Sequence, residues 1–137
     1  MKISGNINLP GDKSISHRAL MFASLTDGEC IINNISTGED VETTRKCLGQ
    51  CGILSQKLGN KVQITGGTFS TPRLPLDCEN SGTSIRLLTG LLSGKGITAE
   101  FIGDTSLSKR PMNRIIEPLN EMGVEIGSNN GYLPLTI

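Results

Sequence analysis

Aromatic side chains are scarce. The 137 residues hold no Trp, one Tyr and three Phe, so the core must be built from Leu, Ile, Val, Met and Ala. Net charge is lacking as well. Thirteen Lys+Arg balance thirteen Asp+Glu, which excludes a polybasic nucleic-acid or membrane-surface binder but leaves room for a local basic pocket. Long apolar runs are missing. The longest, Ala19 to Ala23, has five residues, far short of the ~20 that a spanning helix needs. Met1-Lys2 leads into Ile3-Ser4-Gly5-Asn6, not into an apolar signal region. Histidine is limited to His17. The four cysteines are Cys30, Cys47, Cys51 and Cys78, and Cys47 and Cys51 stand one helical turn apart rather than as C-x-x-C. No zinc or redox site is expected from that set. The cysteines read as buried small hydrophobes, and a reducing cytoplasm is the expected location.

What is present is a globular composition, 36% hydrophobic and 19% charged, punctuated by 17 glycines. Lys2–Leu9 alternates apolar and polar residues and reads as a short strand. Pro10-Gly11-Asp12 breaks it. A helix from about Ser14 to Leu25 follows, apolar around most of its circumference and therefore expected to be deeply buried. Cys30–Ile35 reads as a strand. Thr37-Gly38-Glu39-Asp40 resembles a capping box with Thr37 at the N-cap. The helix after it places Val41, Thr44, Leu48 and Cys51 on one face, and Gly52 stops it. Two strands, Ile53–Lys57 and Lys61–Thr65, flank a turn at Leu58-Gly59-Asn60.

The second half repeats the first. Arg18, Leu20 and Gly28 align with Arg86, Leu88 and Gly96 at an offset of 68 residues. Leu48, Cys51, Gly52 and Ile53 align with Leu119, Met122, Gly123 and Val124 at an offset of 71. Each unit reads helix, strand, helix, strand, turn, strand. The later helices are expected at Ser81–Leu92 and Pro111–Met122. The last of these has Pro111 at its first position, a kink at Pro118, and Met112, Ile115, Ile116, Leu119 and Met122 on its buried face. Repeat units bury their faces against neighbours, and the run Leu133–Ile137 is apolar with no turn after it. The chain therefore reads as part of a longer protein.

Three helix starts carry candidate chemistry. In Pro10–Arg18, glycine permits a sharp turn, and the helix start offers free N–H groups to an anion. Lys13 adds a point charge, Ser14 and Ser16 add hydroxyls, and Arg18 adds a fork of donors. The same pattern serves equally as a cap with a solvated Lys and Arg. Asp77–Arg86 is similar, with Gly82 open to close approach and Arg86 matching Arg18. Asp104–Pro111 places Lys109 and Arg110 near a helix start, where the dipole disfavours cations unless they face an anion. Together the clusters point to a pocket for a doubly anionic small ligand. No Ser/His/Asp triad is evident, and His17 reads as structural or half-exposed.

Pro10-Gly11-Asp12-Lys13-Ser14-Ile15-Ser16-His17-Arg18-Ala19, Asn80-Ser81-Gly82-Thr83 with Arg86-Leu87-Leu88, and Leu107-Ser108-Lys109-Arg110-Pro111-Met112 closely resemble the 5-enolpyruvylshikimate-3-phosphate synthase family, in order along essentially the whole chain. The sister UDP-N-acetylglucosamine enolpyruvyl transferases share the fold but carry Lys-Asn where this chain has Lys13-Ser14. The resemblance implies an α/β fold of repeated βαβαββ units, here two of the units of one domain (about 14–67 and 77–137). It also implies that residues 1–9 form a strand of the other domain and residues 10–13 a crossover. The implied reaction transfers the enolpyruvyl group of phosphoenolpyruvate to the 5-hydroxyl of shikimate 3-phosphate and releases phosphate, in the shikimate pathway to aromatic amino acids. No metal or organic cofactor is implied. Lys13, Ser14 and Arg18 would hold shikimate 3-phosphate. Lys13, Gly82 and Arg110 would hold phosphoenolpyruvate, with Lys13 catalytic between the two, and Asn80, Thr83 and Arg86 would support them. The missing remainder of the two-domain enzyme would supply the acid/base carboxylates, so the fragment alone is expected to be inactive. The alternative is a non-catalytic anion-binding module or a relative of the UDP-N-acetylglucosamine enolpyruvyl transferases. Glu79 stands where many members carry glycine, a negative charge beside the anion site unless it points outward.

Overall fold

A computed structural model describes residues 3–137. Its element order is α1 (Lys13–Ser24), β1 (Glu29–Ile32), α2 (Glu39–Gln50), β2 (Leu54–Leu58), β3 (Lys61–Thr65), β4 (Leu76–Asp77), α3 (Gly82–Gly94), β5 (Glu100–Ile102), α4 (Asn113–Glu121), β6 (Gly127–Asn129) and β7 (Tyr132–Thr136). A single 3-10 turn, Leu107–Lys109, precedes α4.

The strands form two sheets, ordered β1-β3-β2 and β4-β5-β7-β6. Every pairing is antiparallel except β4 with β5. Burial alternates along β3 (Val62, Ile64) and β7 (Leu133, Leu135), so one face of each sheet packs on helices and the other meets water. α1 packs on α2, α2 on α3 and α3 on α4. Leu20, Leu48, Leu76, Ile85, Leu88, Leu92, Phe101 and Met112 lie at the centre of one continuous core.

The repeat is visible down to helix termini. Gly52 and Gly123 sit at φ 92° and 91°. Behind them Ile53 N donates to Leu48 O (3.1 Å), and Val124 N donates to Leu119 O (3.0 Å). The second half completes the order βαβαββ because β4 pairs with β5. Its counterpart in the first half would be residues 3–9, and these pair with no strand here. Ile3 and Ile7 are each 84% exposed, and Asn34 Nδ2 reaches the Leu9 carbonyl only at 3.4 Å. An alternating segment becomes a strand only when another strand satisfies its backbone. Met1 and Lys2, also part of that expectation, lie outside the described residues.

Other expectations are corrected. α1 is not buried all round: Ile15, Phe22 and Leu25 are exposed, while Ser16, His17, Leu20, Met21, Ala23 and Ser24 face the core. Only one side of α1 has a packing partner. Gly38, not Thr37, caps α2, without a side-chain bond. Glu39, Asp40 and Glu42 in its first turn place negative charge at the positive end of the dipole instead. α4 starts after Met112 rather than at Pro111, since Met112 at φ -109° and ψ 4° lies outside helical dihedrals, and its N–H is taken by Gly131 O at 2.8 Å. Met122, expected in the core, is 77% exposed beyond the helix end.

One glycine lets the chain before α1 pass close to the β1–α2 loop. A Cβ on Gly11 would collide with the Asn34 carbonyl oxygen and stand 2.8 Å from Ser36 N. Both are backbone atoms of the β1–α2 loop and cannot swing away. Gly11→Ala is therefore expected to destabilise the chain by about 2–3 kcal/mol, read as a lower urea midpoint at unchanged m.

Candidate functional site

The N-terminal turns of α1 and α3 come side by side. Asp12 caps α1, its carboxylate accepting from Ile15 N at 2.7 Å. Ser14 is therefore not needed as a cap and lies exposed on the first turn. Ser81 caps α3, accepting from Ser84 N at 3.1 Å, so Gly82 opens the helix. Between them lies an open hollow of about 260 Å³ lined by Ser14, Arg18, Gly82, Thr83, Arg86 and Leu87. The repeat-related Arg18 and Arg86 thus face one space.

Arg110 reaches the same place from the 3-10 turn. A Cβ on Gly82 would stand 2.8 Å from Arg86 Nη1 and 3.3 Å from Arg110 Nη1, so both guanidinium groups lie over the glycine. A relay of polar groups holds Arg110. Its Nη2 donates to Asn80 Oδ1 (2.6 Å), Asn80 Nδ2 donates to Asp104 Oδ2 (2.7 Å), and Asp104 Oδ1 accepts from Leu107 N (2.7 Å). The bond from Asn80 and the Leu107 N–H keep the Asp104 carboxyl below its usual range. Arg86 Nη1 donates to Gly82 O at 3.2 Å, and its Nε is buried with no hydrogen-bond partner. Among the described residues no carboxylate ion-pairs with Arg18, Arg86 or Arg110. Three guanidinium groups without a direct carboxylate partner, beside the start of α3, are suited chemically to receive an anion.

The family model described as EPSP synthase (3-phosphoshikimate 1-carboxyvinyltransferase) matches residues 1–137. The chain belongs to the EPSP synthase family. A 3-phosphoshikimate 1-carboxyvinyltransferase of Streptococcus uberis is 47% identical over 136 residues, 96% of this chain and 32% of the relative. One from Ruthia magnifica is 47% identical over 138 residues, 98% of this chain and 32% of the relative. The solved EPSP synthase of Acinetobacter baumannii is 37% identical with a TM-score of 0.91, over 97% of this chain and 31% of that structure. This chain thus has the mixed α/β fold of EPSP synthase, and spans about a third of the length of the relatives it matches.

Most of the family-motif residues expected from sequence converge. Ser14, Arg18, Gly82, Thr83 and Arg86 line the hollow directly, Arg110 overhangs it and Asn80 orients Arg110. Lys13 does not line it. Its ammonium is ion-paired with the carboxylate of Asp40 in the first turn of α2. Lys109 is exposed on the 3-10 turn. Asp40 was legible only as an acid at a helix start, and Asp104 only as a turn residue. Their roles come from partners 27 and 24 positions away, Lys13 and Asn80. Glu79 stands at φ 50°, a left-handed backbone that glycine adopts more freely. Its carboxylate turns away from the hollow to Thr43 Oγ1 (2.8 Å) and Lys46 Nζ (3.0 Å) of α2. Those bonds hold its pKa below the ordinary carboxylate range.

His17 is fully buried, not half-exposed. Burial lowers its pKa from the ordinary 6.5, opposed by Asp40 and assisted by Lys13. An unfolded His17 binds a proton as pH falls through 6.5, whereas the folded one resists until lower pH. The stability it contributes is therefore complete above 6.5 and lost as pH falls below that value. Urea midpoints are expected to drop as pH falls below about 6.5, with a shallower drop in His17→Asn. Among the cysteines, Cys47, Cys51 and Cys78 are buried and Cys30 is half-buried, all as free thiols. Burial pushes Cys51 up to about 11, and donation of the Cys78 thiol proton to Cys47, together with burial, raises Cys78 as well. Both stay protonated and inert near neutral pH. No group of three or more potential metal ligands exists among the described residues, and none of their helices is long and apolar enough to cross a membrane.

Proposed function

We propose that the hollow between α1 and α3 is the first half of an enolpyruvyl-transfer site. Shikimate 3-phosphate is held by Lys13, Ser14 and Arg18. Phosphoenolpyruvate is held by Lys13, Gly82 and Arg110, with Asn80, Thr83 and Arg86 in support. The observation that carries this reading is the convergence of Arg18, Arg86 and Arg110 without carboxylate partners on one helix-start hollow inside the family motifs. Lys13 has a long flexible stem. In this reading its ammonium exchanges Asp40 for the ligand anions and sits between them. There it neutralises charge and relays a proton as the 5-hydroxyl adds to phosphoenolpyruvate and phosphate leaves.

The full-length relatives are named for carboxyvinyl transfer to 3-phosphoshikimate, and on this reading catalysis also needs groups from the remaining two thirds of such proteins. On this view residues 3–9 find their strand partners in the other domain, residues 10–13 are the crossover, and the chain works in the cytoplasm on small anions. The 137-residue chain by itself should bind but not turn over. Titration with shikimate 3-phosphate is expected to shift the amide resonances of Ser14 and Arg18, while a steady-state phosphate-release assay stays at background. Silent amides at both positions would defeat the binding reading, and sustained turnover would defeat the division of labour.

A further inference from the structure

The hollow is backed by a second polar feature that none of the assigned roles uses. His17 Nδ1 meets Thr44 Oγ1 at 2.8 Å, and Thr44 Oγ1 meets Ser84 Oγ at 2.7 Å. Ser84 Oγ donates toward Ser81 Oγ at 2.7 Å and toward the Asp40 carbonyl oxygen at 3.1 Å. His17, Thr44, Ser81 and Ser84 are each at most 1% exposed. The series crosses three helices, from α1 through α2 to α3.

Its direction follows from donor counting. His17 Nε2 is buried without a partner. A proton there would be an unpaired buried donor, which is costlier than an unpaired lone pair. The proton therefore belongs on Nδ1 and is donated to Thr44, Thr44 donates to Ser84, and Ser84 donates onward. The Ser84 hydroxyl hydrogen is shared between Ser81 Oγ and the Asp40 carbonyl oxygen. A leucine in place of His17 would fill the same space without desolvating an imidazole, so packing alone does not call for histidine here.

The chain members alternate with the anion-site residues. His17 lies directly before Arg18 and three residues after Ser14. Ser81 and Ser84 bracket Gly82 and Thr83. The Asp40 residue whose carbonyl ends the chain carries the carboxylate that pairs with Lys13. We propose that His17 is a positioning residue: through Thr44 and Ser84 it holds the starts of α1, α2 and α3 in fixed register, and so sets the spacing of the anion-binding groups. This rests on the reading of the hollow given above. A second tie acts beside it, with Ser16 Oγ donating to Asp12 O at 2.7 Å and accepting from Ser36 N at 2.9 Å.

The test compares three variants of the full chain by titration with shikimate 3-phosphate and by amide spectra without ligand. The shorter amide of His17→Asn places an N–H where Nδ1–H was, whereas the longer amide of His17→Gln places it near the position of Nε2. His17→Asn should keep the dissociation constant within about twofold, and His17→Gln should raise it about tenfold. Ser84→Ala, a small truncation away from the ligand, should raise it similarly. In the ligand-free spectra, Gly82 and Thr83 amides should shift in His17→Gln and stay in place in His17→Asn. Equal affinity in all variants, with the parent chain binding, would overturn the positioning role and leave the anion site standing. Loss in His17→Asn equal to that in His17→Gln would do the same. If the parent chain does not bind, the functional reading fails, and unmoved Gly82 and Thr83 amides in His17→Gln then also overturn the positioning role.

Discussion

Lys13→Ala is expected to weaken shikimate 3-phosphate binding by about a hundredfold while leaving the melting temperature nearly unchanged. Two effects add. The variant removes a cation from the first residue of α1, and it uncovers the Asp40 carboxylate that the cation was pairing. An anion approaching Ser14 and Arg18 then meets an unbalanced negative charge. Truncating one member of a charge pair at a binding site typically costs about 2–5 kcal/mol of affinity. Stability is little affected, because the Lys13 side chain is 54% exposed and exposed pairs contribute little. The double variant Lys13→Ala/Asp40→Asn separates the two effects. It should recover part of the lost affinity, because the repulsion is gone while the attraction remains lost. Calorimetric titration of both variants checks this. A Lys13→Ala chain that binds as tightly as the parent removes Lys13 from the site.

Gly82→Ala should keep the fold and impair one anion selectively. Alanine is the better helix former by nearly 1 kcal/mol, so the start of α3 gains propensity. The added methyl group meets only the ends of two flexible side chains, Arg86 Nη1 at 2.8 Å and Arg110 Nη1 at 3.3 Å. Both guanidinium groups must retreat. Arg110 then strains its bond to Asn80 Oδ1 (2.6 Å), and Arg86 its bond to the Gly82 carbonyl (3.2 Å). The expected result is a melting temperature within a few degrees of the parent. Affinity for phosphoenolpyruvate should fall about tenfold or more, and binding of shikimate 3-phosphate at Ser14 and Arg18 should be nearly unaffected. Loss of both ligands to the same degree would mean that the two subsites are not separable at Gly82.

The arrangement also accommodates a carboxylate next to the hollow. Glu79 occupies a left-handed backbone position beside the anion hollow, where a carboxylate would repel the ligand. Its bonds to Thr43 and Lys46 draw the charge onto α2. The side chain becomes a tie between α2 and the loop that presents Asn80, while its carbonyl oxygen accepts from Asp104 N at 2.7 Å. The negative charge is tolerated because it is directed elsewhere.

The amino-acid sequence alone determined the order of the four helices, the twofold repeat, the helix stop at Gly52 and the three motif clusters. Each of these rests on local chemistry or on periodicity, which a linear reading can follow. It also determined family membership, since the motifs of helix starts and basic residues stand in order over the whole chain. Tertiary structure decided which side of α1 is buried, because burial depends on what packs there and not on apolarity alone. It decided that Lys2–Leu9, for all its alternation, stays unpaired over residues 3–9, because a strand needs a neighbour. It turned Lys13 toward Asp40 and brought Arg110 over Gly82 through Asn80, contacts spanning 27 and 28 residues of sequence. His17 was a solitary histidine in the sequence, and its bonds to α2 and onward to α3 exist only in three dimensions. Helices encode their own caps and stops, but the charges and hydroxyls that meet between helices are chosen by packing.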